Sequence, residues 1–200
     1  MKIVGLCGGS GSGKGTVAKM FSSYGIPSID TDAVYHTLTG GRSPCTDALA
    51  KEFGSEILRE DGSLDRKKLA AIVFSGEDKD RKRAALNSIS HKFVLDETRR
   101  MLAEYERGGA SAALVDAPLL FESGFDRECD LIIAVTADKS VRVSRIISRD
   151  GISEDAALAR ISVQLPDEFL RERADFVIDN SGTLSDTERA VKNISNELIK

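Results

Sequence analysis

Short apolar runs alternate with longer amphipathic stretches along the 200 residues. Lys2-Ile3-Val4-Gly5-Leu6-Cys7 reads as a buried β-strand, and Val17-Ala18-Lys19-Met20-Phe21 starts a helical pattern after a polar, glycine-rich break. Gly25 to Asp30 reads as a second strand, so the opening is a βαβ unit with a right-handed crossover, which implies a parallel sheet. From Thr39 to Arg107 the pattern becomes charged and helical, with helices expected at Asp65 to Phe74 and Lys79 to Glu106. Ala112 to Asp116 and Asp130 to Val135 are apolar runs too brief for helices and read as central strands. Phe176-Val177-Ile178 supplies a last strand, closed by Asp179-Asn180-Ser181-Gly182, and a terminal helix is expected through Lys200. The predicted fold is α/β: a five-stranded parallel sheet flanked by helices, in one domain. Its core is 1–38, 108–140 and 174–200, with a helical insertion at 39–107 and a polar helical segment at 141–173.

The break after the first strand is where chemistry enters. Gly8-Gly9-Ser10-Gly11-Ser12-Gly13-Lys14-Gly15-Thr16 lies between a strand and a helix, which is the setting of a phosphate-binding loop, and it places the fold among the P-loop NTPases. A loop that wraps a polyphosphate aims successive backbone N–H groups inward, through angles that glycine adopts cheaply. The following helix points its positive end at the same anion, and Lys14 can reach the β- and γ-phosphates. A nucleoside polyphosphate is therefore expected here, bound by Gly9, Ser10, Gly11, Ser12, Gly13, Lys14, Gly15 and Thr16. Gly15 stands where a Ser or Thr usually holds Mg²⁺. Mg²⁺ is still expected, with its ligands left open: Thr16 or Asp116 through water.

In an open parallel sheet a ligand sits outside the C-terminal ends of the strands, and Cys7, Asp30, Asp32, Asp116 and Asn180 all fall at or just past such ends. Asp30-Thr31-Asp32 ends the second strand, where an extended chain directs both carboxylates to one side. Asp32 is the candidate base for an attacking hydroxyl, although an Asp before a helix is also an ordinary cap. Asp116 matches a Mg²⁺-holding acidic position and equally an Asp at a strand-to-loop turn. Arg142, Arg145 and Arg149 share one face of a predicted helix. With Arg160 and Gln164 they suggest a lid that brings guanidinium groups to the transferring phosphate and excludes water; a solvated helix face is the plainer alternative.

Bulk properties narrow the field. A 41% hydrophobic content supports a sizeable core, and a net charge of −4 gives no reason to expect nucleic acid as a partner. Cys7, Cys45 and Cys129 are odd in number and unpaired in spacing, as expected of free thiols in a reducing cytoplasm. No apolar run approaches the roughly 20 residues of a membrane span. His91 and His36 are too distant in sequence to suggest a metal pair.

With these residues in hand, the chain resembles the dephospho-CoA kinase family along almost its whole length. The resemblance rests on Gly8 to Thr16, Ile29-Asp30-Thr31-Asp32, Ser90-His91-Lys92, Asp116-Ala117-Pro118-Leu119-Leu120-Phe121-Glu122, Arg145 through Asp150, Arg160 to Gln164 with Pro166, and Ala174 through Asn180. It implies transfer of the γ-phosphoryl group of ATP to the ribose 3′-hydroxyl of dephospho-coenzyme A, in the cytoplasm and with no obligate protein partner. It further implies that Asp32 is the base, that the insertion forms the coenzyme-binding region, and that Arg145 and Arg149 belong to the lid. Asn180 would lie near the adenine, and Asp32, His91, Pro118, Leu119, Leu120, Glu122, Arg160 and Gln164 would border the acceptor. His36, Lys92 and Gly15 depart from the family pattern, which often has Arg, Pro and Ser there. The nearest alternative is a kinase of the same architecture acting on a nucleoside monophosphate or nucleoside. The Asn-Lys-x-Asp motif expected of a GTP switch is lacking.

Overall fold

The computed structural model of the chain describes residues 1–199, so the expected helix end at Lys200 lies outside the described residues. In chain order the elements are β1 (Lys2–Cys7), α1 (Lys14–Ser23), β2 (Ser28–Asp30), α2 (Thr31–Leu38), α3 (Pro44–Phe53), α4 (Arg66–Val73) and α5 (Lys79–Arg107). They continue with β3 (Ala112–Asp116), β4 (Leu131–Thr136), α6 (Lys139–Asp150), α7 (Glu154–Ser162), α8 (Asp167–Arg173), β5 (Phe176–Asp179) and α9 (Leu184–Leu198). Two compact units result: Met1–Asp30 with the chain from Leu102 onward, and Thr31–Met101.

The first unit holds the sheet, all parallel, in the order β2-β3-β1-β4-β5. All five residues of β3 are buried, as expected of a parallel strand covered on both faces. On one face, Val4, Leu6, Leu114, Ile133, Val135 and Ile178 pack with Val17, Ala18 and Phe21 of α1 and Val191, Ile194 and Leu198 of α9. Each large side chain so buried contributes roughly 1.5–3 kcal/mol. The connection from β1 runs toward β2 on one side and that from β3 toward β4 on the other. The crevice between the ends of β1 and β3 is thus a topological switch point, where such sheets bind ligands.

Helices α6 and α7 share a small core of Val143, Ile146 and Ala157, with Ile147, Ile152, Leu158 and Ile161 against it. Gly151 ends α6 in the left-handed region at φ 65°, and Ser153 caps α7 by accepting from the Ala156 N–H.

The second unit is helical around Cys45, Leu49, Phe53, Ile57, Leu64, Leu69 and Val73. Pro44 starts α3 behind a Ser43–Thr46 capping box, and Asp65 caps α4 through the N–H groups of Lys67 and Lys68. One expectation is corrected at its start. β2 ends at Asp30 and α2 begins at Thr31 without an extended segment, so Asp32 sits in the first helical turn. A helix advances about 100° per residue, so two positions apart is not one side of the chain, as it would be in a strand.

Candidate active site

The loop from Gly8 to Gly13 leaves β1 and enters α1. Gly13 caps α1 at φ 91° with no side-chain cap, and Gly11 has φ 80°. The carbonyls from Gly9 to Gly13 are all engaged: Gly9 O accepts from the Ser12 N–H at 3.1 Å, and Gly13 O from the N–H groups of Thr16 and Val17. Between them, Ser10 O accepts from Arg142 Nε at 3.0 Å, Gly11 O from Arg145 Nη1 at 3.3 Å, and Ser12 O from Asn180 Nδ2 at 2.7 Å. By contrast the N–H groups of Gly11, Gly13 and Gly15 find no acceptor among the described residues. Nor does the buried Ser12 Oγ. Orphan donors around a helix N-terminus fit an anion with several oxygens.

Lys14, first residue of α1, pairs with the Asp116 carboxylate at the end of β3, both side chains largely buried. Leu6 and Asp116 are register partners, which brings the loop lysine and this acid together across the switch point. Gly15 and Thr16 are exposed on the same first turn. No group of three His, Cys, Asp or Glu side chains suited to a metal forms among the described residues. The Asp116 carboxylate is an oxygen donor of the hard kind that Mg²⁺ takes, directly or through water.

The three arginines of α6 part company. Arg142 is buried at 5% exposure. Besides Ser10 O, it donates from Nη1 to Asp167 Oδ1 at 2.8 Å and from Nη2 to Gln164 Oε1 at 3.0 Å. Gln164 Oε1 also accepts the Ser10 N–H at 2.9 Å. Arg145 reaches the loop and Asn180 O at 2.9 Å. Arg149 lies at the far end of α6, where it and Arg160 both pair with Asp150; the Arg149 guanidinium foremost holds that carboxyl down at about 2. Thus Arg142 and Arg145 meet the loop, whereas Arg149 and Arg160 gather on a carboxylate. Asn180 is buried, its amide spanning from Ser12 O to Thr187 Oγ1, which donates to Oδ1 at 2.8 Å.

Beside the loop lies a cavity of about 240 Å³, lined by Pro118, Leu119, Glu122 and Gln164 among the expected residues, with Cys7 and the loop's Gly8 and Gly9. Its apolar wall is Phe121, Val163, Leu165 and Leu170, of which Leu165 and Leu170 had no sequence signal beyond scattered hydrophobic positions. Leu120 is placed differently: 1% exposed, it fills the space beside Gly5 instead of lining the cavity. Burial pushes the Cys7 thiol up to about 12 against the pull of Lys14, so it presents a neutral wall. Asp32, exposed on α2, and His91, half-buried on α5, belong to the second unit.

A parallel sheet in this order, with a glycine loop feeding a helix, a lysine on that helix and arginines following β4, defines a P-loop phosphotransferase. The family model for dephospho-CoA kinase matches residues 2–186, and the chain belongs to that family. A dephospho-CoA kinase from Corynebacterium glutamicum is 40% identical over 199 residues, covering 100% of this chain and 98% of its own. One from Bacillus cereus is 40% identical over 185 residues, covering 92% and 91%. Among solved structures, a protein from Thermus thermophilus superposes with a TM-score of 0.79 at 35% identity, over 98% of this chain and 97% of its own. The dephospho-CoA kinase from Campylobacter jejuni gives 0.72 at 25%, over 99% and 98%. A shikimate kinase from Acinetobacter baumannii shares the fold at 0.52 and 16% identity.

Proposed function

We propose that this enzyme transfers the γ-phosphoryl group of ATP to the ribose 3′-hydroxyl of dephospho-coenzyme A, giving coenzyme A and ADP, the last step in making that cofactor. Membership of the family over nearly the full chain carries the reading. The loop supplies the chemistry it requires: phosphoryl transfer needs positioning and charge stabilisation more than covalent catalysis.

In this reading the free N–H groups of Gly11, Gly13 and Gly15 receive oxygens of the polyphosphate, and Lys14 exchanges its bond to Asp116 for the β- and γ-phosphates. Ser10, Ser12, Gly9 and Thr16 complete the nucleotide site. Mg²⁺, when bound with ATP, neutralises the phosphate oxygens, and Asp116, released by Lys14, would hold one of its waters. Asp32 takes the proton from the attacking 3′-hydroxyl as it adds to the γ-phosphorus. Arg145, already at the loop, moves or extends to the transferring group; Arg149 and Arg160 join it when the lid at 141–173 closes and leave Asp150 to do so. Pro118, Leu119, Glu122 and Gln164 border the acceptor, with His91 and the helical insertion 39–107 forming its binding region. The site of action is the cytoplasm, where both substrates occur; among the described residues no helix is long and apolar enough to cross a membrane.

The test is ADP release from Mg²⁺-ATP with dephospho-coenzyme A compared with AMP, CMP, UMP, adenosine and no acceptor. Release that depends on dephospho-coenzyme A supports the reading. Release only with a nucleotide or nucleoside overturns the acceptor, and acceptor-independent release overturns the transfer itself.

A further inference from the structure

A trans peptide fixes its N–H opposite its C=O, so whatever holds one oxygen also aims the neighbouring hydrogen. Two of the orphan donors, those of Gly11 and Gly13, belong to such held peptides. Arg142 holds Ser10 O, which sets the Gly11 N–H; Asn180 holds Ser12 O, which sets the Gly13 N–H. The Arg142 guanidinium has each nitrogen committed, to Ser10 O, Asp167 and Gln164, and its charge is matched by Asp167. Moving the guanidinium away to a phosphate would break all three of these bonds.

We infer that Arg142, with Asp167 and Gln164, is a positioning residue: together they hold the Gly9–Ser10 and Ser10–Gly11 peptides and keep the loop in its anion-accepting conformation before nucleotide arrives. This rests on the reading that the loop binds ATP. Three features support it. Ser10 is bound at both its N–H, by Gln164, and its C=O, by Arg142. The glycines leave room for the grip: a Cβ at Gly9 would collide with Arg142 Nη2, and one at Gly11 would come within 2.6 Å of Arg142 O. Finally, the far end of the grip, Gln164 and Asp167, lies where the chain passes from α7 into α8. That connection therefore reports to the loop, and its displacement would release the Ser10 peptide to rotate. A rotated peptide would turn a carbonyl toward the phosphate and remove a donor at once.

Arg142→Lys keeps the charge and can satisfy Asp167, but its single ammonium cannot reproduce the planar fork that meets all three acceptors. Calorimetry with ADP, which needs no acceptor, is run on wild type, Arg142→Lys, Asp167→Asn and the double variant, with steady-state kinetics and the amide exchange rate of Ser10 alongside. The expected result for Arg142→Lys is about tenfold weaker ADP binding and a matching rise in KM for ATP. The KM for the acceptor should stay within about twofold, and the Ser10 amide should exchange faster in the still-folded protein. Asp167→Asn shifts the same quantities less, and the double variant is no worse than Arg142→Lys, because both act through one network. ADP binding within about threefold of wild type in folded Arg142→Lys overturns the inference. So does an equal rise in the acceptor KM, which marks a general loosening, and so does an additive double variant. If wild type itself fails to bind ADP, the nucleotide reading falls and takes this one with it; wild-type binding with an indifferent Arg142→Lys removes this one alone.

Discussion

Gly13 and Gly15 stand two residues apart at the entrance to α1, yet the same methyl group should act on them with opposite sign. At Gly13 the backbone has φ 91°, and an added Cβ would occupy the place of Asn180 Nδ2. A left-handed non-glycine residue costs about 1–2 kcal/mol. Displacing Asn180 strands Ser12 O and Thr187 Oγ1 in a buried setting, at about 1–3 kcal/mol, softened because Arg145 stays near Ser12 O at 3.4 Å and Thr183 O near Thr187 at 3.3 Å. Gly13→Ala should therefore lose about 3 kcal/mol. For a chain of this length that lowers Tm by roughly 6–12 °C at about 2–4 °C per kcal/mol. A Cβ at Gly15 meets nothing within 4 Å, and an exposed helical Gly→Ala gains up to about 1 kcal/mol. Gly15→Ala should raise Tm by up to roughly 4 °C. Thermal unfolding followed by circular dichroism reads both, with ADP affinity measured in parallel and expected to fall only for Gly13→Ala. A Gly13→Ala protein within about 1 kcal/mol of wild type, or a Gly15→Ala protein that loses more than that, would refute this account of the loop.

Asp32→Asn should lower kcat by about 10²-fold or more while ATP binding stays within about twofold, as steady-state and calorimetric measurements would record. Arg145→Lys should reduce kcat/KM for ATP more than Arg149→Lys does, because Arg145 already meets the loop whereas Arg149 is held by Asp150; equal loss in the two would contradict that order. Burial raises the thiols of Cys7 and Cys129 to about 12 and that of Cys45 to about 11. The unfolded chain ionises its thiols near 9.0 and so binds fewer protons than the native one above that pH. The stability tied to the neutral thiols is thus full below about pH 9 and declines as pH rises toward 11 and 12. Denaturant unfolding across that range should show the decline, and Cys45→Ala should make it shallower.

The strands and long helices were legible because their signals are local. The β1 run from Lys2 to Cys7 and the apolar block at Ala112 to Asp116 match the observed strands residue for residue, and the long helical pattern from Lys79 ends one residue from its observed limit at Arg107. The turn at Asp30 was misread because a β-strand followed directly by a helix leaves no loop composition to mark it. The glycine loop announced a phosphate site, but its glycines were explained by backbone angles alone. Clearance for Arg142 and Asn180 depends on residues more than a hundred positions away, which no local pattern encodes. The arginine face divides likewise: spacing placed Arg142, Arg145 and Arg149 together on α6, while distant partners drew Arg142 and Arg145 to the loop and left Arg149 on its neighbour Asp150.

The most direct test of the assigned reaction is the identity of its product. Dephospho-coenzyme A and Mg²⁺-ATP are incubated with the enzyme, and the mixture is followed by ³¹P nuclear magnetic resonance with chromatographic comparison to authentic coenzyme A. The account predicts one new phosphomonoester resonance, on the ribose 3′-oxygen, growing in step with ADP for wild type and almost absent for Asp32→Asn with ATP bound. Inorganic phosphate in place of the monoester, or a phosphate on any other oxygen, would contradict it.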